Sequence, residues 1–170
     1  IEPAKISSNG YQYNGIFADP CAWIIDGYID YISPQLYWTT NHQSAPFNPL
    51  CEWWNNLAAT YGVQCYISHD IAGSTSTWNN NSSDYTERFN QIAQVRNSSA
   101  DFNPGEVFYS AGFINGPRTS GLGDYLKENL YQHYALTPKI VRSDEETIIV
   151  NPGTVDDMAL NGSTLSWGAK

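Results

Sequence analysis

The stretch Tyr28–Trp38, YIDYISPQLYW, followed from Asn48 by NPLCEWWNNLA, decides the fold. The first segment has strand length and is rich in Ile and Tyr, and the second begins with the Asn-Pro pair that favours a helix start. Together they predict a βα unit with Gln35, Tyr37 and Trp38 at the carboxyl end of the strand. Because α/β proteins bind ligands at that end, these three side chains are candidate ligand contacts.

Strands and helices alternate along the rest of the chain. Asp19 and Pro20 predict a short helix that stops at Gly27. Further strands are expected at 5–8, 63–70 and 106–114, and further helices at 84–96 and 121–133. Such alternation at short intervals implies parallel strands joined by crossover helices, so the predicted fold class is α/β.

The character of the sequence changes near its end. Residues 138–153 have a proline near each end and no helical period, which predicts a linker. Residues 154–170 carry alternating apolar residues around Asn161-Gly162, which indicates a hairpin. We therefore expect one α/β domain at 1–137, a linker, and the first strands of an incomplete β-sandwich at 154–170.

Composition excludes several classes of protein. The 170 residues are 41% hydrophobic, as in a globular domain, and carry a net charge of −9. With 8 Lys and Arg against 17 Asp and Glu and no basic run, nucleic acid is a poor partner. No apolar run reaches the length of a membrane span.

Three cysteines, Cys21, Cys51 and Cys65, fall inside the expected helices and strand. None has a CxxC or Cys/His metal spacing, so no metal or other cofactor is predicted. They are read as buried small hydrophobes, and the spacing leaves a disulfide between two of them open.

In order along the chain, ADPCAWIIDGYIDYISPQLYW, the paired-tryptophan helix, CYISHDIA, Trp78 before a helix, EVFYSAGFI and YALTP form a recognisable series. The series resembles the second half of glycosyl-hydrolase-like family 10 domains, and its most specific element is DYI-x-PQ-x-YW. The resemblance covers 5–138. It implies the C-terminal half of a TIM (β/α)8 barrel, with the first four strands upstream. The tail resembles the start of a fibronectin type III domain.

The same resemblance implies a function and a location. Members of that family occur in bacterial secreted proteins and lipoproteins, so an extracytoplasmic location is expected, whether periplasmic, cell-surface or secreted. The implied substrate is a complex glycan of the peptidoglycan type. A half-barrel leaves strand edges and an open interior, so the upstream half of the barrel or a second copy of the chain is the expected protein partner.

Strand alternation predicts which side chains face the inside of the barrel. The alternate residues Ile32, Pro34 and Leu36 are apolar and suit the helix-facing side. Gln35 and Tyr37 would then point inward, either as substrate contacts or as a pair that satisfies itself in a polar barrel core.

Two tryptophans are candidate sugar platforms, because an indole offers an apolar face and an N–H donor. Trp38 stands at the rim, where the alternative is packing against the loop 41–47. Trp78 lies in a polar loop and could serve as a mobile platform or as a loop anchor.

The ends of the next two strands supply the remaining candidates. His69 is versatile in proton transfer, and its options are catalysis, hydrogen bonding to substrate or a structural role. Asp70 is a carboxylate at a strand end, although the family usually has a small apolar residue there. Ser110 could donate to a ligand or only to a neighbouring carbonyl.

The chain offers no obvious pair of catalytic carboxylates of the kind glycosidases need. Four other acidic residues stand at strand starts or on helices: Asp30, Glu52, Glu87 and Glu106. The resemblance places the catalytic carboxylates on earlier strands, so this chain alone is expected to be inactive. The parent is read as a glycoside hydrolase in which this segment binds sugar. The alternatives are a non-catalytic carbohydrate-binding module and a structural half-barrel that assembles as a dimer.

Overall fold

The computed structural model describes Tyr13, residues 15–71, 86–98, 105–114 and 121–135, and the backbone of 159–161 and 164–166. It divides the chain into two compact units, Ile1–Ile140 and Val141–Lys170. The strand expected at 5–8 and the linker expected at 138–153 lie outside the described residues, so both stay predictions.

The first unit alternates helices with short strands. In chain order the elements are α1 (Pro20–Ile25), β1 (Tyr31–Ile32), α2 (Phe47–Thr60), β2 (Gln64–Cys65), β3 (Ile67–Asp70), α3 (Thr86–Asn97), β4 (Glu106–Tyr109) and α4 (Leu122–Asn129). The second unit contributes the hairpin strands β5 (Ala159–Asn161) and β6 (Thr164–Ser166). These two strands pair antiparallel, which confirms the hairpin predicted around Asn161-Gly162.

Local chemistry fixes the ends of α1. The Asp19 carboxylate accepts a hydrogen bond from the Ala22 amide at 3.0 Å, and Pro20 occupies the first helical position. Gly27 follows the helix with φ +71°, a conformation that glycine adopts without a steric cost. Both predicted boundaries are confirmed, and the short helix delivers the chain to β1.

Helix α2 begins two residues earlier than predicted. Its first residue is Phe47 and its N-cap is Pro46, which has no side chain able to cap, so the prediction of Asn48 as the cap is wrong. Burial explains the shift, because Phe47 is fully buried and packs into the core beneath the strands. The predicted stop is correct, since Gly62 follows the helix with φ +70°.

The paired strands of the first unit run parallel. Three chain segments, 31–36, 64–70 and 106–109, lie side by side in chain order. β1 pairs with β2, and β3 pairs with β4. A parallel bridge between Gln35 and Ser68 carries the chain beyond β1 alongside β3. The ladder continues through hydrogen bonds from the Ser68 amide to the Pro34 carbonyl at 2.9 Å and from the Leu36 amide to the Ser68 carbonyl at 3.1 Å. The fold is therefore α/β with small parallel sheets, as predicted.

The helices cover one face of this ladder. Ile32, Leu36, Cys65 and Ile67 pack against helix residues in one core cluster, and Ile71 joins α4 residues in a second. These strand residues lie on one face, because side chains alternate along a strand. The apolar alternation read at 32, 34 and 36 is confirmed, since Pro34 and Leu36 are buried while Gln35 is exposed.

Two sequence predictions need correction. The strand expected at 106–114 ends at Tyr109 and gives way to a 3₁₀ turn at Ala111–Phe113. Helical spacing predicts that Phe89, Ile92, Ala93 and the stem of Arg96 share one face of α3, whereas Ala93 and Arg96 are exposed. The buried residues of α3 are Arg88, Gln91, Ile92 and Val95. Half of that set is polar, so apolar spacing could not reveal it.

None of the three cysteines forms a disulfide, and two of them are buried core residues. Burial raises the pKa of the Cys51 thiol to about 11 and that of the Cys65 thiol to about 12. The thiolate is the form that attacks thiol reagents, so Cys51 and Cys65 are expected not to react in the folded protein. Titration with a disulfide reagent should count one thiol, the half-buried Cys21, before unfolding and three in urea. Three rapid reactions in the native state would contradict the core placement.

No helix within the described residues is long and apolar enough to cross a membrane.

Candidate functional site

The face of the ladder opposite the helices is open. Tyr31, Val107 and Tyr109 lie on it with 56%, 42% and 56% of their surface exposed. Pairing places Gln35 beside Ser68 and Asp70 beside Tyr109 on this same face. We call this surface, made of Tyr31, Ser33, Gln35, Tyr37, Gln64, Tyr66, Ser68, Asp70, Val107 and Tyr109, the open face. Its aromatic and hydroxyl groups suit a ligand that presents both apolar faces and hydroxyls.

Tyr37 brings the carboxyl ends of three strands together. Its ring stacks on that of Tyr109 with centroids 6.0 Å apart and planes 30° apart. Its hydroxyl lies 3.4 Å from the Ser68 hydroxyl, which is at the long end of the hydrogen-bond range. One of the two hydroxyls donates in this bond and the other accepts. The structure thus unites Tyr37 with groups from β3 and β4 on the face opposite the helices.

Asp70 and Ser110 stand where β3 and β4 end. The Asp70 side chain belongs to the open face and is fully buried. Ser110 is half-buried and opens the 3₁₀ turn, but its side chain makes no capping hydrogen bond there. Their roles at the site stay predictions.

Trp38 packs more closely than a free platform would. The indole is half-buried against the core cluster that includes Phe47, and its ring centroid lies 6.2 Å from that of His42. His42 in turn accepts a hydrogen bond from the Ala45 amide at 3.0 Å, which fixes the loop beside the indole. The packing against loop 41–47 considered from the sequence is therefore observed, and the exposed remainder of the ring still borders the carboxyl end of β1.

His69 lies on the other side of the sheet from the open face. Its ring is 2% exposed and is sandwiched between Phe47 and Phe108, with both centroid distances at 5.5 Å. Burial lowers the pKa of His69 to about 4, so the imidazole is neutral at pH 7. The structure thus separates His69 from Gln35, Tyr37 and Asp70. Its predicted contact with substrate stays a prediction, and its observed surroundings are those of a structural histidine.

Glu106 shares the buried layer with His69. The two side chains approach to 3.8 Å between Nε2 and Oε1, and neither of these atoms has a hydrogen-bond partner within the described structure. The Tyr131 hydroxyl donates to the other carboxylate oxygen. Burial raises the pKa of Glu106 to about 7, although the Arg96 charge opposes that shift. At neutral pH the pair can therefore hold a proton that an exposed glutamate would have released.

Sequence reasoning missed two residues of α3 that contact the chain after β1. The Glu87 carboxylate accepts hydrogen bonds from the Thr40 amide at 2.6 Å and from the Thr40 hydroxyl at 2.8 Å. The Gln91 amide nitrogen donates to the Trp38 carbonyl at 3.1 Å. No local sequence motif predicts contacts between residues about fifty positions apart.

The remaining candidate, Trp78, lies outside the described residues, and its role stays a prediction. Within the part of the chain that the structure describes, no three His, Cys, Asp or Glu side chains are grouped so as to hold a metal ion.

Comparisons with known proteins identify the family. The model of the Glycosyl hydrolase-like 10 family matches residues 1–87, which include β1 and the first three strand-end candidates. Glycosyl hydrolase YngK of Bacillus subtilis is 30% identical over 129 residues, which are 76% of this chain and 25% of that protein. Glycosyl hydrolase DigH of Escherichia coli is 33% identical over 55 residues, or 32% of this chain and 12% of that protein.

This chain therefore spans about a quarter of the length of the Bacillus relative that it matches. The family match and the similarity to the Bacillus relative over three quarters of this chain agree. The chain belongs to the Glycosyl hydrolase-like 10 family.

Proposed function

We propose that this chain forms the sugar-binding part of a glycoside hydrolase that acts on a complex bacterial glycan of the peptidoglycan type. Gln35, Tyr37, Trp38 and Ser110 contact the sugar, and Asp70 lies behind them at the end of β3. Trp78 extends the binding surface. The parent protein works outside the cytoplasm, where such glycans are found, and burial protects the thiols of its core from oxidation there.

The observation that carries the proposal is the chemistry of the open face. Exposed Tyr109 and half-buried Tyr37 stack at the carboxyl ends of the two parallel strand segments that flank β3. Aromatic rings provide flat apolar surface for a sugar ring, while the hydroxyls of Tyr37 and Tyr109 provide donors and acceptors. Ligands of parallel α/β folds bind at this end of the strands. Membership of a glycosyl hydrolase-like family supports a glycan as that ligand.

Hydrolysis needs groups beyond those of the open face. Most glycosidases use two carboxyl groups, about 5 to 5.5 Å apart for retention or about 6.5 to 9.5 Å apart for inversion. Among the described residues, Asp70 is the one carboxylate of the open face at a strand's carboxyl end. We propose that the acid and base are supplied by upstream strands of the parent protein, so this chain alone binds glycan without cleaving it.

The same upstream strands are the proposed cover of the open face below its carboxyl-end residues, which stay accessible to the glycan. Parallel sheets are almost always covered on both faces, whereas here helices cover one face and Tyr31, Val107 and Tyr109 are exposed on the other. The chain-order arrangement of the three parallel segments is that of a (β/α)8 barrel, which supports a half-barrel completed by the upstream half or by a second copy. Light scattering tests this: a dimer, or binding of the upstream half in trans, is expected, and a stable monomer that ignores the upstream half would refute it.

Removing the stacked tyrosines is expected to weaken glycan binding. Tyr37→Ala and Tyr109→Ala should each raise the Kd for chitotetraose about tenfold, since stacking on one ring contributes on the order of 1 kcal/mol or more. Tyr61→Ala is the matched control, because Tyr61 is exposed at the end of α2 and away from the open face. Calorimetric titration of the wild type and the three variants measures the effect. Equal affinity in all four proteins would refute the proposed site.

A non-catalytic carbohydrate-binding module is the second candidate, and the single carboxylate of the described open face favours it. The full-length parent protein distinguishes the two. Release of reducing ends from peptidoglycan glycan strands supports the hydrolase, and saturable binding without release supports the binding module.

A further inference from the structure

The chain segment that follows the ladder between residues 31–36 and β3 is held by hydrogen bonds to α3 and not by further strand pairing. Trp38, Thr39 and Thr40 follow the last ladder hydrogen bond, which the Leu36 amide makes to β3. Beyond that point, the Trp38 carbonyl accepts from Gln91, and both the amide and the hydroxyl of Thr40 donate to Glu87. The segment 38–40 is therefore fastened at two places to α3, and the Thr39 carbonyl between them also accepts hydrogen bonds from the amides of His42 and Phe47, each at 3.2 Å.

The strength of this attachment comes from a charge and from burial. Hydrogen bonds to a carboxylate are shorter and about twice as strong as neutral ones, and the two to Glu87 measure 2.6 and 2.8 Å. Gln91 is fully buried, so water cannot replace its bonds. Gln91 also donates to the Glu87 carboxylate at 3.0 Å, one turn earlier on the helix, which makes the two side chains act as a unit.

His69 fixes the orientation of Gln91. Its Nδ1 lies 3.1 Å from the Gln91 amide oxygen, which can only accept, so the imidazole proton is on Nδ1. Turning the Gln91 amide over would place its oxygen against the Trp38 carbonyl and the Glu87 carboxylate, both acceptors. Only the observed orientation satisfies every contact. The buried histidine of β3 is thus connected, through Gln91, to the rim of the strand next to it.

We propose that Glu87 and Gln91 are positioning residues that hold Trp38 and Thr40 at the carboxyl end of β1 as one wall of the sugar site. Neither residue contacts the sugar. They set the distance between the indole of Trp38 and the stacked tyrosines of the open face. This inference rests on the proposed function for its ligand, but the attachment itself is a property of the ligand-free protein.

The test measures the attachment and the binding separately. Glu87→Ala removes both acceptors, while Glu87→Gln keeps one acceptor for the Thr40 amide and offers an N–H to its hydroxyl. Glu52→Ala, on the exposed side of α2, is the control for the loss of one negative charge. Thr40→Val is a milder variant that deletes only the hydroxyl bond. For each protein, NMR follows the hydrogen exchange of the Thr40 amide and the indole resonance of Trp38, and calorimetry gives the Kd for chitotetraose.

In Glu87→Ala, exchange of the Thr40 amide is expected to accelerate roughly tenfold or more, the indole resonance of Trp38 to move, and the Kd to rise roughly fivefold to tenfold. In Glu87→Gln the exchange rate, the indole resonance and the Kd should lie close to those of the wild type. In Thr40→Val all three should change in the same direction as in Glu87→Ala, but by less. Unchanged exchange and an unmoved indole in Glu87→Ala and Thr40→Val would overturn the attachment. Faster exchange of the Thr40 amide with an unchanged Kd would overturn the role of the attachment in sugar binding. If the wild type itself does not bind chitotetraose, the proposed function fails while the exchange data still judge the attachment.

Discussion

Replacing Phe47 with alanine is expected to lower the free energy of unfolding by about 3 to 5 kcal/mol, the usual cost of truncating a buried phenylalanine. Phe47 is the largest fully buried side chain and belongs to the core cluster beneath β1 and β2. It also stacks on His69, so truncation would leave a cavity on one side of the imidazole. Urea denaturation followed by circular dichroism measures the loss.

Tyr28→Ala is the matched control for that truncation. Tyr28 is 75% exposed, so the same deletion of an aromatic ring should change stability by no more than about 0.5 kcal/mol. Similar losses in Phe47→Ala and Tyr28→Ala would contradict the core described for the first unit.

The second large effect is a dependence on pH. Relative to the wild type, Glu106→Gln is expected to gain about 3 kcal/mol of stability between pH 4.5 and pH 7. Burial raises the pKa of Glu106 from an ordinary value of 4.5 to about 7. Between these values the folded wild type holds a proton that the unfolded chain releases, so its stability falls as the pH rises. Glutamine does not titrate and avoids this loss.

His69 contributes with the opposite sign. Burial lowers the pKa of His69 from 6.5 to about 4, so the unfolded chain binds a proton that the folded protein excludes. Stability from this group is present above pH 6.5 and is lost as the pH falls through 4. In the wild type the two effects oppose each other between pH 4.5 and 6.5. Each residue's effect on the pH dependence of stability becomes visible only when the other residue is replaced.

Two variants therefore separate the contribution of His69 from that of Glu106. The stability of Glu106→Gln should itself rise from pH 4 to 6.5, because His69 remains, and that of His69→Gln should fall from pH 4.5 to 7, because Glu106 remains. Arg96 and the Tyr131 hydroxyl remain beside Glu106 in the second variant, so the direction of its pKa shift should persist. Glu52→Gln, which removes an exposed carboxylate, is the control for the loss of one negative charge. A flat difference between Glu106→Gln and the wild type would show that this carboxylate is not desolvated.

Local signals predicted much of the fold. The Asp19-Pro20 start and the Gly27 stop define α1 through backbone chemistry within a few residues. Alternation from 31 to 37 correctly separated the helix-facing side of β1 from the open face, because one side is apolar and the other is not. The family resemblance found from DYI-x-PQ-x-YW was confirmed as well.

Contacts made at a distance could not be predicted in this way. All four residues of β3 are buried, so the strand shows no alternation that would reveal His69 facing the helices and Asp70 facing the open side. The buried face of α3 carries Gln91 because its partners lie on β1 and β3, and a rule based on apolar spacing passes over it. Pairing between strands decides both placements, and pairing is a property of the folded chain.

Mapping chitotetraose onto the protein by NMR tests the central claim most directly. Saturable shifts are predicted for Gln35, Tyr37, Trp38, Tyr109 and Ser110, with little change at the exposed positions of α2. Absence of saturable binding, or shifts confined to the helices, would contradict a sugar site on the open face.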